Sequence, residues 1–145
     1  MIFARQIAFI DSLETQFFAS LRKSIEANGN FIVDSITQKQ LFERGEDGDG
    51  KKLLGYTRTT IRIKVAKGQP FDRTTLRDEN EFHPSIMIDA RDRDFTISSN
   101  VTHAQFLVAR YGENIMKPSN ETMSEFFRLY FLPNIKTELD GQITR

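Results

Sequence analysis

The chain has 145 residues and a mass of 16.8 kDa, with 20 Lys+Arg against 20 Asp+Glu, no Cys, no Trp and 13 Phe. A chain of about 150 residues buries roughly 68 to 70% of its unfolded surface, so one domain over 1-145 can support its own core, and zero Cys removes disulfide frameworks, thiolate zinc sites and Cys nucleophiles together. Balanced charge argues against a generally basic nucleic-acid binder, and a mean hydropathy of -0.44 with no apolar run near about 18 residues excludes a membrane span.

Met1-Ile2-Phe3-Ala4-Arg5 lacks the basic-then-apolar order of a signal peptide, so none is expected, and the missing Cys suits a reducing bacterial cytoplasm as the place of synthesis. Phe3, Ile7, Ile10, Leu13, Phe17, Leu21 and Ile25 recur in steps of three or four and lie on one helical stripe. Ile2, Phe9 and Phe18 fall off that stripe and give the helix a second apolar edge that one packing partner would not cover. Asn28-Gly29 is expected to end it, because both residues tolerate a left-handed C-cap. A second helical pattern through Phe31, Ile32, Ile36 and Leu41-Phe42 stops at Gly45, which makes an N-terminal helical hairpin. Glu46-Asp47-Gly48-Asp49-Gly50 is turn chemistry.

Over 57-66, Ile61, Ile63 and Val65 alternate with Thr60, Arg62 and Lys64 as in a strand, while Thr57 could cap a short helix; both readings stand. Residues 66 to 81 form a long polar loop, poor in apolar anchors and expected to be ordered mainly by neighbouring molecules. Phe82, Ile86 and Ile88, a turn at Arg91-Asp92-Arg93-Asp94, then Phe95 and Ile97 make a β-hairpin. Thr102 can cap a helix carrying Ala104, Leu107, Val108 and Tyr111, which Gly112 ends. Ser119 caps the last helix, with Glu121 in its first turn, and Pro133 must kink or break it. The expected fold is therefore α+β, an N-terminal helical hairpin and a C-terminal kinked helix packed on a small antiparallel sheet.

Motifs for catalysis and metal binding are missing. A calcium loop counted from Asp47 needs an oxygen ligand at its fifth place and Glu at its twelfth, where this chain has Lys51 and Arg58. His83 and His103 have no ligand spacing between them, no Gly-x-Ser-x-Gly elbow appears, and the glycines before Lys51-Lys52 lack the phosphate-loop spacing. The expectation is a protein that is not an enzyme and needs no metal or cofactor.

The charges are segregated. Residues 51-77 hold eight basic side chains against the single acid Asp72, whereas 78-94 hold six acids against Arg91 and Arg93. Such blocks can pair within the fold, contact phosphate, or join neighbouring copies head to tail. Lys64, Lys67, Arg73, Arg77, Asp78, Glu79 and Glu81 are the candidate inter-subunit or DNA-facing contacts. Aromatics do not interleave the basic stretch, so base reading is not expected.

From about residue 41 to residue 132 the chain resembles a family of small virion proteins from tailed bacteriophages and prophages of Bacteroidetes hosts, similar to head-tail connector, tail-completion or neck proteins. The residues that carry the likeness are Leu41-Phe42, Gly45, Asp47-Gly48-Asp49-Gly50, Gly55-Tyr56-Thr57, Lys64 to Gly68-Gln69-Pro70, Thr75-Leu76-Arg77-Asp78 leading to Phe82 and Ser85, then Phe106-Leu107 and Arg110-Tyr111-Gly112. Glu79-Asn80 stands where the broader connector group has Thr-Gly, and Asn80 can still take the left-handed conformation that Gly would permit. The resemblance implies a homo-oligomeric ring in the virion neck, touching portal or connector and tail proteins and lying near packaged DNA, with no catalytic residues and no membrane. The alternative is a small nucleic-acid-associated regulatory or processing protein that uses the basic 51-77 segment.

Overall fold

A computed structural model describes residues 2 to 143. Helix α1 runs unbroken over Ile2–Asp34 and continues as wider π-type turns through Ser35–Arg44. The expected hairpin break at Asn28-Gly29 is thus corrected to one long helix. Ile25 and Ile32, one on each side of Gly29 and two turns apart, are both buried on the same face, and a Cβ on Gly29 would lie 2.7 Å from the Ile88 side chain. Gly29 serves close packing rather than capping, and tertiary contact overrides the local signal. The stop comes at Gly45 as expected: φ is +60°, and the Gly45 and Glu46 N–H groups donate to the Leu41 and Gln40 carbonyls.

Residues 57-66 resolve to the helical alternative. Helix α2 is Arg58–Ala66, with the Thr57 hydroxyl accepting from the Thr60 N–H at 3.3 Å. Phe82, expected in a strand, lies instead in the one-turn helix α3, Phe82–Ser85, where the Ser85 hydroxyl donates to the Phe82 carbonyl. Pro84 presets a helical φ there. Strands β1 (Ile86–Ala90) and β2 (Phe95–Ser99) then pair antiparallel with Ile88 opposite Ile97 and Ala90 opposite Phe95. This two-stranded ribbon with helices around it is the α+β arrangement.

Helix α4 is Ala104–Tyr111; its cap position is His103 without a side-chain cap bond, so Thr102 does not take the expected role. A single 3-10 turn covers Glu113–Met116. Helix α5, Asn120–Phe126, is capped by Ser119, whose hydroxyl accepts from the Thr122 N–H at 3.1 Å. It widens into π-type turns over Phe127–Phe131 and returns to regular helix as α6, Leu132–Ile143. Pro133 explains the irregularity: it cannot donate, and its ring would press on the Leu129 carbonyl in a regular helix. The Tyr130 carbonyl is served by side chains, accepting from Asn134 at 2.8 Å and Ser24 at 3.2 Å.

The core joins Ile25, Ile32, Ile36 and Leu41 of the first helix to Phe82, Ile86, Ala104, Ile115 and Phe126. Small residues bring the last helices close: buried Ser24 bonds Tyr130, and buried Ser20 bonds Glu138. Residues 4-15 of α1 behave differently, because every one of them is exposed.

Candidate functional site

The turn at Asp47-Gly48-Asp49-Gly50 is built for attachment. One Asp47 carboxylate oxygen accepts from the Asp49 and Lys51 N–H groups at 2.9 and 3.0 Å, the local turn that the residue type predicts. Asp49 reaches across to Lys117 at 2.6 Å and Asn114 at 2.8 Å, and the Gly48 N–H donates to the Asn114 carbonyl. Buried Gln40 closes the clamp, donating to the Lys117 carbonyl and accepting from the Ser119 N–H. Asp47 shapes the turn, and Asp49 and the Gly48 N–H tie it to residues 113-119. Among the described residues no group of three or more His, Asp or Glu side chains could hold a metal ion, and no helix is long and apolar enough to cross a membrane.

The loop expected to depend on neighbouring molecules is anchored by its own chain. The Thr75 N–H donates to the Tyr56 hydroxyl at 3.0 Å, the Thr74 hydroxyl to the Leu54 carbonyl, and both threonines are buried. His83 Nε2 donates to the Thr75 carbonyl at 2.7 Å. Burial pushes the His83 imidazole below its ordinary pKa of 6.5, against the pull of the Thr75 carbonyl, and the nearby Arg77 charge pushes the same way. The ring is therefore neutral at pH 7, with Nδ1 a buried acceptor that has no partner among the described residues. Leu76 and Asn80 both have positive φ, +54° and +59°. Asn80 adopts the left-handed conformation expected of it; Leu76 carries a strain of roughly 1 to 2 kcal/mol and turns its side chain against the core.

Five of the seven candidate contact residues meet around one cleft of about 480 Å³ between α2, this loop and α4. They are Lys64, Arg77, Asp78, Glu79 and Glu81, with Lys67 and Arg73 outside the lining. Lys64 is corrected from a surface contact to a buried one: its ammonium sits 4.7 Å from the centre of the Tyr56 ring and bonds Gln69. Arg73 is half-buried, donating to the Phe42 carbonyl at 2.7 Å, and Arg77 lies over the Phe42 ring and bonds Asn80. Reversing charge at Arg73 and Arg77 would strike folding along with any surface contact.

The two charge blocks meet inside the chain at Lys67 and Asp78, and two further close charge pairs stand within or beside them. Lys67 pairs with Asp78 at 3.2 Å, Arg73 with Asp72 at 2.7 Å, and His103 Nδ1 stands 3.8 Å from Glu81. Exposed pairs of this kind contribute about 0 to 1 kcal/mol each, so they set geometry more than stability. The cations of the cleft itself, Lys64 and Arg77, are held by the neutral groups of Tyr56, Gln69, Phe42 and Asn80, while its carboxylates Asp78, Glu79 and Glu81 are exposed. Sequence reasoning missed the floor, made by Ile63, Leu76, Phe82, Leu107 and Tyr111. Leu107 and Tyr111, four residues apart on α4, were the one available signal.

No family model, no curated protein and no solved structure matches this chain.

Proposed function

We propose that the chain is a structural subunit of a multi-subunit ring in the neck of a tailed bacteriophage, linking portal to tail around the DNA channel. It is made in the host cytoplasm, ends in the virion, and is not an enzyme. The observation that carries this reading is the exposed apolar surface of the projecting half of α1: Ile7 and Ile10 on the stripe and Phe9 on the second edge are each 60% or more exposed, and Leu13 and Phe17 stay open beside them. A contiguous apolar surface of that kind marks a protein-protein contact. The likeness of residues 41-132 to neck proteins supplies the place of assembly. The engaged state of Lys64, Lys67, Arg73 and Arg77 weighs against phosphate binding by these four cations and leaves Lys51, Arg58 and Arg62 as exposed cations of the basic stretch.

Negative-stain imaging of the full chain at micromolar concentration tests the reading. Closed rings with a central opening, formed without added DNA, are the expected result. Monomers at every concentration would reject it.

A further inference from the structure

We infer that the ring contact is head to tail: the projecting tip of α1 from one copy enters the acid-rimmed cleft between α2 and α4 of the next. The inference rests on the ring reading above and assigns both surfaces of its contact. The tip, residues 4-10, presents Ile7, Phe9 and Ile10 with Arg5 as its one charged side chain. The cleft presents apolar side chains and three exposed carboxylates, of which Asp78 already pairs with Lys67 and Glu81 stands by His103, while its cations Lys64 and Arg77 lie against Tyr56 and Phe42. Glu79 has no ion pair among the described residues and is the natural receiver of an incoming guanidinium. A volume of about 480 Å³ falls within the roughly 300 to 1,000 Å³ of pockets that seat ligands, room for two or three apolar side chains of an entering helix.

A tip that fills the cleft must come from another copy. Helix α1 is continuous between the tip and Glu14, whose carboxylate pairs with Arg93 at 3.1 Å, so residue 4 lies roughly 15 Å along the helix beyond that contact with the body at about 1.5 Å per residue. The tip is open in its own chain and cannot turn back without breaking that helix. One tip and one cleft per copy make a heterologous contact, which propagates and closes into a ring where the rotation permits.

Two exposed-site variants of the full chain test this. The tip variant is Ile7→Asp with Ile10→Asp; the cleft variant is Ile63→Lys with Glu79→Lys. By sedimentation velocity, with circular dichroism to check folding, wild type should assemble and each variant alone should stay monomeric. Mixed in equal amounts they should give heterodimers and stop, because the intact tip of one fits the intact cleft of the other and no second contact can form. A cleft variant that assembles like wild type overturns the inference, leaves the ring reading standing, and hands the cleft to a small molecule or another protein. A wild type that stays monomeric removes both. Should either double variant misfold, Arg5→Glu and Glu79→Lys provide the second arm: each should weaken assembly roughly tenfold or more, and their combination in one chain should restore it. Failure of that swap to restore assembly also counts against the inference.

Discussion

The two halves of α1 share one periodicity and differ in what covers them. Over residues 20-36 the apolar face is shut in, with Ile32 and Ile36 fully buried against the hairpin and the last helices. Over residues 4-15 the same three-and-four spacing faces outward. Periodicity tells that a helix face has a partner; it does not tell whether the partner lies in the same chain. The transition is sharp and aromatic, since Phe17 packs edge-on to Phe18 and Phe131 at 5.5 and 4.9 Å while remaining partly open.

The largest expected effect is in the covered half. Ile36→Ala should cost about 2 to 5 kcal/mol of unfolding free energy, the range for emptying a fully buried aliphatic site, read from urea denaturation of the monomer. A loss below about 1 kcal/mol would mean the covered half is no better packed than the open one.

Gly29→Ala comes next. Its Cβ would meet Ile88 at 2.7 Å, and overpacking costs about 1 to 3 kcal/mol, offset by about 1 kcal/mol of helix propensity. The further loss from Gly29→Ala should shrink when it is measured on an Ile88→Ala background, because the two sites touch. Additive losses would show that Gly29 is there for another reason.

Acid should lower the stability of the folded body that covers residues 20-36. The depressed pKa of His83 means that the unfolded chain binds the extra proton first, so stability is complete above pH 6.5 and falls as pH drops below it toward the lower folded value. The thermal midpoint of wild type minus that of His83→Gln, which keeps a donor for the Thr75 carbonyl, should be level above pH 7 and decline below 6.5. A difference independent of pH would mean that His83 is not buried neutral.

The smallest effect belongs to the open half. Ile10→Ser should change monomer stability by less than about 0.5 kcal/mol, measured at a concentration below assembly, because an exposed side chain loses no packing.

Several elements were legible in the sequence: the first helical stripe, the stop at Gly45, the Ser119 cap and the hairpin at Ile86-Ser99 all follow from period and cap chemistry. Gly29 was misread because its role depends on Ile88, 59 positions later, and no local rule carries that information. The alternation over 57-66 was ambiguous because Ile63 and Val65 remain exposed on a helix whose buried member is Lys64, the reverse of the usual pattern. Its ammonium is tolerated because the Tyr56 ring and Gln69 replace water. The acidic half of the candidate site was legible as charge, whereas the apolar floor was not, since α2, the loop, α3 and α4 each supply part of it.

The central claim is that other copies cover the open half of α1. Hydrogen exchange of the full chain, followed from low to high protein concentration, measures this directly. Amides of residues 20-36 should be protected throughout, while those of residues 4-15 should gain protection as concentration rises and rings form. Exchange over 4-15 that stays fast in an assembled sample would contradict the account.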